Sequence, residues 1–317
     1  MLLVGLDYTQ TSVRLPLSSM STTSNRTSTL DSAPIADKQS APFVTNEPLV
    51  VIEPGKLWSA LDLRELWSYR ELLYFLTWRD LKVRYKQAAL GVAWVVMQPL
   101  ASALIFTVFL GKLARVPSDG LPYPIFAYSG LILWAFFSTA VIQSGLSLVS
   151  NAHLITKVYF PRLLMPLSAV AARLVDFTVA FALLLGLLVY YRMPLSWSIL
   201  ALPIPIALTI LVALAVGVWS AAINVKYRDV GVVLPVVIQL WMFVSPIVYP
   251  LSLIPESWRK LYALNPLVGI LEAFRSALFG RPLDWTLLAI STAVTLPALA
   301  LAAYLFRRME RSFADIV

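Results

Sequence analysis

The stretch LALPIPIALTILVALAVGVWSAAI, residues 200–223, runs 24 residues without an ionisable side chain. A hydrocarbon core about 30 Å thick is crossed by about 20 helical residues, so this stretch predicts a bilayer-spanning helix. Lipid offers no partner to backbone N–H and C=O groups, which restricts spanning structures to helices and closed barrels. The run is continuously apolar and lacks the alternation of a barrel strand. Working outward from it, five more stretches read as spans: 90–110, 128–149, 167–190, 232–249 and 286–306. The chain as a whole is 59% hydrophobic and 13% charged over 317 residues, with a mean hydropathy of +0.77, far from the balance of a soluble domain. The fold class expected is an all-α integral membrane protein with six transmembrane helices.

A net charge of +8 is compatible with nucleic-acid binding, but in a membrane protein excess Lys and Arg mark the cytoplasmic loops. Basic residues crowd the segments before the first span, between spans two and three, between spans four and five, and after the last. Both termini are therefore expected in the cytoplasm. The absence of cysteine excludes a disulfide framework, a zinc cluster and a thiol nucleophile, and the single histidine, His153, builds no metal site by itself. Residues 1–55 are Ser/Thr-rich and too polar to offset the entropy of ordering, so a disordered tail is expected. A start codon assigned too far upstream accounts for it equally well. Met1 to Asp7 has no basic n-region and only a short apolar run, unlike a secretory signal.

Residues 56–89 form the next unit, with a helical, two-faced pattern from Leu63 onward. Trp78, Leu81 and Tyr85 share one side, and Arg79, Lys82 and Lys86 a neighbouring one. This fits an amphipathic helix in the membrane interface, its basic face toward headgroups or a partner. Residues 90–317 form the membrane domain. Its last loop contains a helix-like stretch after Asn265-Pro266, with Leu267, Ile270, Leu271, Phe274, Ala277 and Leu278 on one face and Glu272, Arg275 and Ser276 on the other. About 13 residues are too few to span, so it reads as re-entrant or interfacial.

The chain carries no GxxxxGK[ST] phosphate loop, so ATP binding of the P-loop kind is not expected. Asp176 follows Arg173 by three residues on the third span, near its cytoplasmic end. The two share a face, as a self-neutralising pair, a step in substrate passage or a proton relay. On the first span Trp94, Gln98, Ser102 and Phe106 recur every four residues beside Pro99. Such a stripe suits a water-lined path on which sugar rings slide over aromatic faces; the alternative is an interfacial Trp94 and a Gln98 bonded to a neighbouring helix. Gln239, Trp241, Phe243 and Tyr249 on the fifth span offer a second wall.

WRDLKVRYK (78–86) with Leu90-Gly91 and Gln98-Pro99 downstream, NAHLITKVYFPR (151–162), KYRDV (226–230), QLWMFVSPIVYP (239–250), LNPL (264–267) and ERSFAD (310–315) occur in an order that resembles the ABC-2 type permeases exporting O-antigen, capsule or teichoic-acid-like polymers. The resemblance covers residues 63–317. It implies a bacterial cytoplasmic (inner) membrane protein that pairs with a second copy of itself and with two ATP-binding subunits. Those subunits hold ATP and Mg, and this chain needs no cofactor of its own. The substrate implied is an undecaprenyl-linked polysaccharide, handled within membrane lipid and without nucleic acid. The resemblance also implies that the helix bearing Arg79, Lys82 and Lys86 and the loop bearing His153, Lys157, Tyr159, Phe160 and Arg162 contact the ATPase. Spans one and five would line the channel, and Leu267, Leu271 and Phe274 belong to an outer gate. The alternative for the loop 151–162 is that Lys157 and Arg162 are positive-inside anchors, with Tyr159 and Phe160 in the headgroup region. The competing functions are an ABC-2 exporter of a small lipid or drug, a polytopic membrane enzyme, whose clustered carboxylates are missing from these loops, and a secondary transporter driven by an ion gradient.

Overall fold

The computed structural model describes residues 63–86, 92–194 and 196–310; the expected disordered tail at 1–55 lies outside them. The described residues form helices and connecting loops, with no strand among them. Short α1 (Leu63–Ser68) leads into α2 (Arg70–Lys86), and α3 (Val92–Phe106) continues through a π-helical turn, Thr107–Leu113. Then come α4 (Tyr123–Ser150), α5 (Ala152–Lys157), α6 (Leu164–Tyr190), α7 (Pro203–Lys226), α8 (Val230–Phe243), α9 (Glu256–Tyr262), α10 (Pro266–Phe279) and α11 (Trp285–Glu310). Five of the stretches are long and apolar enough to cross a bilayer: Ala93–Leu113, Tyr123–Ser150, Leu164–Tyr190, Trp197–Lys226 and Trp285–Glu310. These match five of the six expected spans. α4 is the central post, buried along most of its length against α6, α7 and α8.

At one end of the bundle, α2, α5 and the adjoining ends of α4, α6, α7 and α11 share a second apolar cluster around Leu76, Leu148, Phe160, Leu164, Val225 and Phe306. Arg162 donates its backbone N–H to Glu310 Oε1 at 3.3 Å and Nη1 to the Glu310 carbonyl at 3.2 Å, tying the loop after α5 to the last turn of α11. The basic segments therefore gather at this end, beside both ends of the described chain.

The fifth expected span is shorter than its sequence pattern. α8 has 14 residues, about 21 Å at 1.5 Å per residue, and the chain leaves the helix at Val244. Unwound backbone at membrane depth persists only where its polar groups find partners within the protein. Here side chains supply them one by one. Tyr249 donates to the Phe243 carbonyl, Asn265 Nδ2 to the Val244 carbonyl, Arg275 to the carbonyls of Pro246 and Ile247, and Tyr123 to that of Val248. Asn265 Oδ1 also accepts from Trp241 Nε1 and from the Leu267 amide, at 3.1 Å each, capping α10. The Tyr249 hydroxyl lies 2.8 Å from that of Tyr262. Burial, aided by this hydrogen bond, holds the Tyr262 phenol above the ordinary tyrosine range.

α10 lies within the bundle, buried from Pro266 to Phe279 except for half-buried Glu272. The re-entrant alternative fits this placement. The polar face expected for α10 does not face water: Arg275 and Ser276 are each 3% exposed, because α4, α7 and α11 enclose the helix.

α4 and α7 touch through small residues, as lipid-embedded helices commonly do. A Cβ on Gly217 would stand 2.5 Å from Ser144 Oγ and 2.6 Å from Ser144 Cβ. Gly217→Val is expected to destabilise the protein by about 1–3 kcal/mol, read as a lowered thermal midpoint in detergent; an unchanged midpoint would mean that α7 slides freely on α4.

Candidate functional site

A cavity of about 930 Å³ opens between α3, α4, α6 and α8, with the last turn of α2 at its edge. The four-residue stripe of α3 forms one wall: Trp94, Gln98, Ser102 and Phe106 all line it, together with Pro99. Facing them, α4 contributes Trp134, Phe136, Ser138, Thr139 and Gln143; α6 contributes Phe177, and α8 contributes Gln239 and Met242. The amides of Gln98, Gln143 and Gln239 make no side-chain hydrogen bond among the described residues. Their donors and acceptors are free for a ligand. The mixture of aromatic faces and unpaired amides matches a ligand with apolar C–H faces and hydroxyl edges.

The ionic group at the cavity edge is larger than the Arg173–Asp176 pair alone. Arg173 Nη1 donates to Asp176 Oδ2 at 3.1 Å, Arg84 Nη1 donates to the same oxygen, and the Tyr85 hydroxyl donates to Oδ1. One carboxylate thus serves two guanidiniums and a phenol, leaving a net charge of +1. Leu164 to Asp176 spans about 18 Å of helix, so the group stands near the middle of 27-residue α6 and not near its end.

Residues 71–279 match the family model described as ABC-2 type transporter. The chain belongs to the ABC-2 transporter family. A Myxococcus xanthus protein named O-antigen export system permease protein RfbA is 33% identical over 262 residues, 80% of this chain and 98% of that relative. A Klebsiella pneumoniae protein of the same name is 29% identical over 251 residues, 78% of this chain and 95% of its own. The Escherichia coli polysialic acid transport protein KpsM is 28% identical over 236 residues, 69% of this chain and 86% of its own.

In this ABC-2 protein the other sequence-selected residues divide. Of the fifth-span candidates, Gln239 lines the cavity, whereas Trp241, Phe243 and Tyr249 do not. Trp241 bonds to Asn265 and meets Phe137 edge-on, with ring centroids 5.4 Å apart; Tyr249 belongs to the knot of carbonyl donors; Phe243 is exposed on the outer face of α8. For Tyr249 the reason is the end of α8: beyond Phe243, helical periodicity no longer dictates which way a side chain points. Trp134 and Phe136 are buried as packing residues and also form cavity wall.

At the basic end, Lys82, Lys86, His153, Lys157 and Tyr159 are exposed. Arg79 is turned inward, its Nη2 2.8 Å from both Asp80 Oδ1 and Asn151 Oδ1. On α2 the protein-facing side carries Leu72, Leu73 and Leu76, and Trp78 is 55% exposed. Phe160 is buried in the second apolar cluster, in contrast to the surface placement expected of it, while neighbouring Tyr159 is 84% exposed. Leu267, Leu271 and Phe274 are fully packed in the main core. Phe274 lies 6.5 Å, centroid to centroid, from Phe177 and so backs the cavity wall. The sequence signal that could have revealed the role of Arg275 was an Arg, three residues after Glu272, on a largely apolar 14-residue helix, a side chain that stays at membrane depth only with partners.

Proposed function

We propose that the chain is the membrane permease subunit of an exporter of lipid-linked cell-surface polysaccharide in the bacterial inner membrane. It works as a pair of copies powered by two separate ATP-hydrolysing subunits, with both termini on the cytoplasmic side. The observation that carries this reading is the cavity, where aromatic faces and free amides line one continuous surface. The names of the relatives, which export O-antigen or transport polysialic acid, support the same substrate class. Gln98 on α3 and Gln239 on α8 are exposed in the single chain. Facing lipid, such amides are costly, and a second copy laid against α3 and α8 removes that cost while closing the path.

The chain itself has no hydrolytic role: it lacks a phosphate-cradling loop, and ATP with its Mg is held by the partner. That partner docks at the basic end, where α5 and Tyr159 project with Lys157 at the rim, an apolar centre with a charged border. With the ATPase subunit co-expressed, Trp94→Ala and Gln98→Leu are each expected to lower surface polymer roughly tenfold, the equivalent of about 1.4 kcal/mol, with normal permease abundance. Surface polymer that stays at the wild-type level would remove the cavity from the path. Export of a small lipid with no polymer at the surface would replace the polysaccharide reading.

A further inference from the structure

We infer that α2 is a strut carrying movement from the α4–α5 corner to the cavity wall, and that Asp176 is the positioning residue that fastens its far end. At its middle α2 is held by Arg79, whose Nη2 donates to Asn151 Oδ1 at 2.8 Å, and Asn151 is the residue that joins α4 to α5. Asp80 fixes the same guanidinium through Nε at 3.1 Å and Nη2 at 2.8 Å. Asn151 is itself anchored, donating Nδ2 to the Ser147 carbonyl at 2.8 Å. Leu76, 1% exposed, seats this part of the helix in the apolar cluster that also contains Leu148 and Phe160.

About one and a half turns further on, Arg84 and Tyr85 both donate to Asp176, whose carboxylate also accepts from Arg173 one turn earlier on α6. All four of these residues line the cavity. A helix held at two points about 7.5 Å apart along its axis, at 1.5 Å per residue from Arg79 to Arg84, transmits displacement instead of bending. Both attachments use hydrogen bonds with at least one charged partner, and such bonds are stronger and more directional than neutral ones. At the cavity the second attachment is partly buried, with Asp176 13% and Arg173 14% exposed, so solvent screens it little. Movement of α5 therefore reaches the wall formed by α6 through α2, in addition to the direct path along α4.

The role in export rests on the function proposed above, whereas the fastening of α2 does not. The chain contains no cysteine, so cysteines introduced at Val83 on α2 and Val175 on α6, 70% and 42% exposed, give a spin-label pair without background. In the permease alone, the wild-type background should give one narrow distance between the two labels of the same copy, read with labelled copies diluted in unlabelled ones. Asp176→Asn should broaden it, and Asp176→Glu should restore much of the narrow component. In the complex with the ATPase, export per ATP hydrolysed should fall at least severalfold in Asp176→Asn. Arg79→Gln cuts the other attachment and should lower the same ratio, keeping the test independent of the folding of one variant. A distance as narrow in Asp176→Asn as in wild type overturns the strut, whether or not the complex exports. Export per ATP unchanged in both variants overturns its coupling role. A wild-type complex that hydrolyses ATP without exporting polymer counts against the polysaccharide reading, and the distance measurement still decides the fastening.

Discussion

Arg275→Met is expected to be among the most damaging substitutions in the membrane domain, lowering the thermal midpoint in detergent sharply or preventing accumulation in the membrane. The guanidinium is 3% exposed and donates Nη1 to the Pro246 carbonyl at 2.7 Å and Nη2 to the Ile247 carbonyl at 2.5 Å, while its plane covers the Phe126 ring at 3.8 Å. Methionine fills similar space but donates nothing. Two buried carbonyls lose their partners, at about 1–3 kcal/mol each, in a region where water is scarce. Lysine should rescue in part, because a point charge cannot span two carbonyls as a planar fork does. Gly130 makes the arrangement accessible: a Cβ there would lie 2.3 Å from the Ile247 carbonyl oxygen and 2.7 Å from Arg275 Nη2. Gly130→Ala should therefore reproduce much of the loss, and in a double-mutant cycle the two losses should combine less than additively. Additive losses would show that Arg275 and Gly130 act on separate parts of the fold.

The second large effect separates two adjacent residues. Phe160→Ala is expected to cost about 3–5 kcal/mol, the range for emptying a buried aromatic site, and to reduce permease abundance. Tyr159→Ala should leave stability within about 0.5 kcal/mol, as at other exposed positions, while weakening capture of the ATPase subunit and nearly abolishing surface polymer. The difference follows from Val158, whose extended backbone (φ −131°, ψ 132°) ends α5. After it, successive side chains point to opposite sides, Tyr159 outward and Phe160 into the cluster with Leu148, Leu164 and Phe306. Normal ATPase capture and export by Tyr159→Ala would remove this loop from the docking surface and leave Lys157 and Arg162 as membrane anchors.

Five of the spans and the aromatic and polar stripe of α3 could be read from sequence because lipid charges each residue for its own polarity. Transfer into hydrocarbon depends on the side chain itself, and a straight helix then distributes side chains by a fixed 3.6-residue period. Trp94, Gln98, Ser102 and Phe106 consequently reach one cavity. The early end of α8, the carbonyls that Arg275 serves, the two donors that α2 brings to Asp176 and the burial of Phe160 had no such local signal. Each depends on which distant group passes alongside: Asn265 and Arg275 reach the Val244–Ile247 turn from 20 to 29 residues away, and Arg84 reaches Asp176 across 92. Hydropathy counts a carbonyl the same whether a helix or a distant guanidinium satisfies it, so only the packed structure decides where a span may stop.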